Sequence, residues 1–330
     1  MIKVVAPGRV NLIGDHTDYT GGLAMPMAIN HATVVEGRRE GMSVDLISVN
    51  MEGRLSLPLP VRDAAATRPS WGRYVAAVTE LIGPTAGFTG TVSSDIPIGG
   101  GLSSSAALMV AIALALGADG PPADVARLCQ RAEMLATGVP TGIMDQLCIL
   151  SALPDHASMI DFNTLEVEPV PMSDEVDVIV SFVAPRALEN SGYSQRVNEC
   201  RQAEDLIGPL RRANLDDVYR IADPTLRRRA RHVVTENDRV IRFAGAMRRG
   251  DWAAAGTIMN EGHHSLAEDY EVSTAAMDRA VAESLDQSQV FGSRMTGGGF
   301  GGCIVSLCRR GTNASGWVVR STGAARHVTI

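Results

Sequence analysis

Apolar positions along the first part of the chain alternate as they do in strands. Residues 2–8, IKVVAPG, are β-branched and read as a strand ending at Pro7-Gly8. DYTGG at 18–22 is a turn cluster, and LAMPMAI at 23–29 resumes the apolar pattern as a second strand. ATVVEGR at 32–38 and SVDLISVNMEGRLSL at 43–57 continue in strands. The period then changes. In WGRYVAAVTELIG, Trp71, Tyr74, Val75, Val78, Leu81 and Ile82 recur at three-and-four spacing, which predicts an amphipathic helix. A strand over 88–98 leads into Gly99-Gly100-Gly101, and the alanine-rich run 106–116 is helical by propensity and too long for a strand. Further helices are expected over 123–137 and 143–153.

Strand patterns return between about 157 and 183 as SMIDF, LEVEPVPM and VDVIVSFV. Pro169, Pro171 and the acidic SDEVD stretch place a domain boundary near 173, giving domains 1–172 and 173–330. The segment 193–286 reads as helical with arginine-rich exposed faces, and RRRAR at 227–231 reads as a solvated helix face. A strand-like SRMTGG, a glycine loop at 297–302 and the apolar strand CIVSLC follow.

With 330 residues, 45% hydrophobic and 20% charged, and mean hydropathy +0.05, the chain can bury one large or two ordinary cores. No apolar run approaches the eighteen residues of a membrane span, and MIKVVAPGRVN lacks the apolar core of a signal peptide. Five cysteines form no paired framework or zinc spacing, so reduced cytoplasmic thiols are expected. A net charge of −7 argues against nucleic acid as a partner. Of 30 basic residues only Lys3 is a lysine. A Walker-type loop and a protein-kinase fold each need a lysine that this chain does not have.

Three stretches carry candidate chemistry. In PIGGGLSSSAA, glycines between a strand and a helix let the backbone approach an anion, helix-start amides point at it, and a serine can ligate Mg²⁺. A flexible loop with an ordinary serine cap would look the same. PGRVNLIGDHTDY puts an arginine, two carboxylates and a histidine around a glycine; such a set recognises vicinal sugar hydroxyls or is a solvated turn. RMTGGGFGGC has five glycines in six positions, a backbone path that is either structural or pressed against a ligand.

Together these stretches resemble the three motifs of the GHMP small-molecule kinases, and the first is similar to the galactokinase signature in particular. The resemblance continues through GIMDQ at 142–146, SGYSQRVNEC at 191–200, RRARHVVTENDRV at 228–240 and EGHHSLAEDYEVS at 261–273, so it covers essentially the whole chain. It implies an α/β (α+β) fold of two domains, the first like ribosomal protein S5 domain 2 and the second ferredoxin-like, with the active site in the cleft between them. It also implies ATP and Mg²⁺, and transfer of a phosphoryl group to the anomeric hydroxyl of galactose. By residue, the resemblance assigns Asp145 and Arg9 to catalysis, and Asp15, His16, Thr17, Asp18, Gly142 and Tyr193 to the sugar. Gly99, Gly100, Gly101, Leu102, Ser103, Ser104 and Ser105 fall to the phosphates, Ser48 and Trp71 to the adenine, and Ser105 with Glu133 to the metal. Trp71 reads equally as a core aromatic of its helix. A monomeric cytoplasmic enzyme with small-molecule substrates, no nucleic acid and no membrane is expected.

Three positions depart from the family pattern. The chain starts almost at the first motif, Thr20 stands where asparagine is usual, and Asp15 stands where galactokinases carry glutamate. Only Asp15 touches the sugar in the family, at the far side near C6, and aspartate reaches about 1.5 Å less far. Galactose with a raised KM is therefore expected. Alternatives are the same chemistry on N-acetylgalactosamine, galactosamine or arabinose, or a catalytically silent sugar-and-ATP sensor.

Overall fold

A computed structural model describes residues 1–97, 99–185 and 192–329. Ile98 of the glycine–serine stretch and Ser191 of SGYSQRVNEC lie outside the described residues. The elements run in the order β1 (Ile2–Asn11), β2 (Leu23–Ala24), β3 (Pro26–Arg39), β4 (Ser43–Ser48), β5 (Arg54–Pro58), α1 (Gly72–Ile82), β6 (Phe88–Ser94), α2 (Ser104–Leu116), α3 (Pro122–Thr137), α4 (Met144–Ser151), β7 (His156–Asp161) and β8 (Glu166–Pro171). They continue as β9 (Val176–Ala184), α5 (Tyr193–Ile207), α6 (Leu215–Tyr219), α7 (Pro224–Arg249), α8 (Trp252–Glu268), α9 (Ala275–Leu285), β10 (Val290–Thr296), β11 (Gly302–Arg309), β12 (Trp317–Val319) and β13 (Arg326–His327).

Among the described residues the strands form three sheets, ordered β13-β1-β3-β6-β4-β5, β10-β11-β9-β12 and β2-β7-β8. The expected boundary at 172/173 falls in the turn between β8 and β9, and β9 opens the second sheet. The chain then returns: β13 pairs with β1, so the first sheet includes residues from beyond 320. The uniformly apolar α2 lies against β1 and β3 beneath α1, α3 and α4, which is why it shows no polar face.

The first strand is longer than Pro7-Gly8 suggests. Pro7 pairs with Ala32 and Arg9 with Ala28, so Gly8 lies opposite three residues of β3, and the strand runs on to Asn11. A Cβ at Gly8 would stand 2.8 Å from the Leu102 carbonyl, to which Arg9 N donates at 3.2 Å. Pro-Gly here marks an irregularity where the glycine–serine loop packs against the strand, not the strand's end.

The arginine-rich helix is also different from its sequence reading. Asp223 caps the Thr225 and Leu226 amides at 2.7 and 3.0 Å, and Pro224 starts α7. Within RRRAR, Arg229 is buried between Glu199 and Glu271, Arg231 pairs with Asp269, and Arg227 bonds the carbonyls of Ile221 and Ala222. Arg229 thus fastens α7 to α5 and to the segment after α8 instead of facing water, while Arg231 pairs with Asp269 from an exposed position. Further along α7, His232, Glu236 and Arg239 are buried as well.

Helix α8 and strand β10 touch backbone to backbone. A Cβ at Gly256 would stand 2.0 Å from the Phe291 carbonyl oxygen, whereas one at Gly245 would meet only the tip of Arg249 at 3.3 Å. Gly256→Ala is therefore expected to destabilise by about 1–3 kcal/mol through overpacking despite alanine's helix propensity. Gly245→Ala is expected to stabilise by about 0.5–1 kcal/mol, and denaturant midpoints of the two variants check the contrast.

Candidate active site

A cavity of about 460 Å³ lies between the two halves and is lined from the first motif, the glycine–serine loop, α3, α4, α5 and the third motif. At its centre Arg9, projecting from β1, meets Asp145 in the first turn of α4. Arg9 Nε donates to Asp145 Oδ1 at 2.8 Å, Nη2 donates to Oδ2 at 2.7 Å, and Nη1 donates to the Gly101 carbonyl at 2.7 Å. Ser103 Oγ also donates to Asp145 Oδ2. Ser103 holds a left-handed backbone, φ 61°, at the start of α2 and gives its hydroxyl to Asp145 in place of a helix cap. Strand, loop and helix are thus joined by a bidentate fork with one further donor.

At one end of the cavity stand the residues that the resemblance assigns to the sugar. The Asp18 carboxylate fits only because position 142 is glycine: a Cβ there would lie 1.6 Å from Asp18 Oδ2. Burial, and then the charge of Asp145, push the Asp18 carboxyl up to about 7. His16, at φ 67°, bonds Tyr19 Oη through Nδ1 at 2.9 Å and has the Tyr193 ring 5.5 Å from its own. Asp15 is 1% exposed; its Oδ1 accepts from Gly297 N at 2.8 Å and its Oδ2 from Arg294 Nη2 at 2.7 Å. The third motif therefore packs into the fold and also borders the cavity. Gly297 and Gly298 line the cavity, while Gly299, at φ 73°, packs against Val272.

The other end is lined by Ser48, Trp71, Gly99, Gly101, Ser103, Ser104 and Ser105. Trp71 serves two purposes, since it belongs to the first core and also borders the cavity. Ser105 Oγ donates to Glu133 Oε1 at 3.1 Å, while Glu133 Oε2 accepts from Gln146 at 2.8 Å and Thr141 at 3.2 Å. Burial and the Asp145 charge raise the Glu133 carboxyl to about 7. Among the described residues no three His, Cys, Asp or Glu side chains cluster to hold a metal unaided. A hydroxyl and one carboxylate beside a phosphate-binding loop are the hard oxygen donors that suit Mg²⁺ when phosphates complete its shell.

Three expected contact residues do not line the cavity. Thr17 is fully buried and its hydroxyl bonds the Gly14 and Leu23 carbonyls at 2.8 and 2.7 Å, which locks the loop. Leu102 is a core residue whose carbonyl holds Arg9 N, and Gly100 packs near Cys303.

Comparison with known proteins gives the family. The galactokinase galactose-binding signature matches residues 2–39, the GHMP kinases N terminal domain residues 72–152 and the GHMP kinases C terminal domain residues 243–316. Galactokinase of Bos taurus is 43% identical over 327 residues, covering 93% of this chain and 83% of its own. The chain belongs to the galactokinase family. Galactokinase of Mycobacterium tuberculosis (strain ATCC 25618 / H37Rv) is 41% identical, covering 92% of this chain and 87% of its own. The crystal structure of Lactococcus lactis galactokinase complexed with galactose superposes with a TM-score of 0.91 at 31% identity, covering 98% and 94% of the two chains. Mevalonate kinase of Methanococcus jannaschii, 18% identical with a TM-score of 0.71 over 97% of this chain, shares the GHMP fold.

For this galactokinase-family chain, sequence reading found the cavity's charged centre but missed Ser103 as a partner of Asp145. It also missed Arg294 and Glu236 behind Asp15. Arg294, the cation paired with Asp15, and Glu236, the carboxylate on the other side of Arg294, lie far from Asp15 in sequence, beyond any local pattern.

Two outcomes follow from the Asp18–Gly142 contact. Gly142→Ala is expected to reduce galactose affinity at least tenfold while ATP affinity stays within twofold, as read by calorimetric titration of each. The raised Asp18 carboxyl makes the folded state bind a proton that the unfolded state releases from about pH 4 upward. Stability of the ligand-free protein therefore falls as pH rises from about 4 to about 7, by up to about 1.4 kcal/mol per pH unit for this one group. Asp18→Asn removes that slope, so its melting temperature is expected to exceed the wild type's at pH 8 and to converge with it near pH 4.

Proposed function

We propose that this chain transfers the γ-phosphoryl group of ATP to the anomeric hydroxyl of galactose, giving galactose 1-phosphate and ADP. The observation that carries the reading is the Arg9–Asp145 fork, which joins the start of the phosphate loop at Gly101 to the cavity end holding Asp18 and Gly142. A carboxylate offers about four acceptor positions. Arg9 and Ser103 take three of those on Asp145, which leaves one for a substrate hydroxyl. Asp145 in this reading orients the anomeric hydroxyl and accepts its proton while the oxygen bonds to the γ-phosphorus and the bridging oxygen departs with ADP. Arg9 keeps its charge beside the transferring group and balances the phosphoryl oxygens.

The start of α2, with Gly99, Gly101 and Ser104, offers amides to the phosphates, and Trp71 and Ser48 border the adenine. Ser105 and Glu133 would hold Mg²⁺, which neutralises phosphate charge when bound. Asp15, His16, Asp18 and Tyr193 would bind the sugar. Asp15, held by Arg294 and Gly297, presents its carboxylate at the cavity wall one methylene shorter than the family's glutamate, so a raised galactose KM is expected. Five buried free cysteines support a reducing, cytoplasmic setting, and no helix among the described residues is long and apolar enough to cross a membrane.

A coupled assay of ADP release over galactose, 6-deoxygalactose, amino sugars and arabinose tests the substrate. Release with none of them, while ATP binds, would identify a sensor instead. Asp145→Asn is expected to leave sugar and nucleotide affinity within a few-fold while lowering kcat by about 10²–10⁴. Near-normal kcat in the folded variant would remove Asp145 from the reaction.

A further inference from the structure

Behind the sugar end of the cavity lies a set of buried charges that meets the cavity through Asp15. Arg294, in β10, is fully buried and lies between two carboxylates. It donates through Nη2 to Asp15 at 2.7 Å, and its Nη1 pairs with Glu236 at 2.9 Å. Glu236, also fully buried, accepts from the Gly14 amide at 2.9 Å and from Arg239 Nε at 2.6 Å. Burial tends to raise both carboxyls. At Glu236 the two arginines outweigh it and hold the group below the usual carboxylate range; at Asp15 burial prevails over the pull of Arg294 and the group stays raised.

Helix α7 adds two more contacts to the same loop. His232 Nε2 bonds the Asp15 carbonyl at 3.1 Å and Asn237 accepts from Leu23 N at 2.8 Å. Room for the guanidinium comes from α8, where a Cβ at Gly262 would stand 2.6 Å from Arg294 Nη1. Asp15 is the one member of this set that borders the cavity.

We propose that Arg294 is a positioning residue for galactose recognition: it acts only through Asp15, whose carboxylate it fixes toward the sugar while Glu236 anchors the loop behind it. The proposal rests on Asp15 being a sugar contact, as in the reading above. If Arg294 is removed, Asp15 keeps the Gly297 amide and the neighbouring Asn11 side chain but loses the guanidinium that holds its Oδ2, so that acceptor is no longer fixed.

A double-mutant cycle on sugar affinity tests this, measured both as the galactose KM and as the galactose Kd by titration calorimetry without ATP. Arg294→Lys keeps the charge but not the two-pronged reach. It is expected to raise the galactose KM and Kd about tenfold, with kcat and the ATP KM within twofold. Gly262→Ala, which displaces the guanidinium from the far side, is expected to raise the same constants three- to tenfold. In an Asp15→Asn background both substitutions are expected to add less than twofold. Additive effects, or equal rises in the galactose and ATP constants, would overturn the proposal by making Arg294 a general structural residue. If Arg294→Lys does not fold, the Gly262→Ala cycle decides in the same way. Wild-type turnover of galactose is measured first, so failure of the substrate reading shows there, before any variant is compared.

Discussion

Arg9 is the joint at which three distant stretches of chain meet. Its guanidinium binds a helix-start carboxylate with two prongs and a loop carbonyl with the third, while its own amide bonds the next carbonyl of the same loop. It is 3% exposed, so the charge has been taken out of water and needs these partners. Removing one partner of such a pair typically costs about 3–5 kcal/mol. The arrangement therefore fixes where β1 ends relative to the loop, and the loop relative to α4, before any ligand arrives.

The same centre is electrostatically overloaded. Asp15, Asp18, Glu133 and Asp145 border one cavity with Arg9 and Arg73, and Asp18 and Glu133 are driven toward neutrality by burial and by the charge of Asp145. Such a site is poorly satisfied on its own and improves when hydroxyl donors and cations enter it. Binding energy is then available for ordering the reactants.

Much of this was legible in the sequence where the information is local. The three-and-four spacing of Trp71 to Ile82 found α1, and glycine, serine and alanine in succession found the turn into α2. Proline and glycine at 7–8 misled, because the reason for glycine there is a carbonyl from residue 102. The short strands β12 and β13 went unseen, since two or three residues carry no period and exist only through partners far away in the chain. RRRAR looked solvated because nothing in its own neighbourhood announces Glu199 and Glu271. The family motifs located the sugar loop, but its support from α7 and β10 depends on side chains that only the folded chain brings together.

The return of the chain to its own beginning has a bearing on how the protein is made. β13 pairs with β1 at Val4–His327 and Val5–Arg326, and Val328 N donates to the Lys3 carbonyl at 2.8 Å. The strand that carries Arg9 is translated long before β13, so one edge of it stays unpaired until residue 326 has been made. Throughout synthesis the first half can gather its helices but cannot close its sheet, and it exposes a β-branched edge of the kind that recruits other strands.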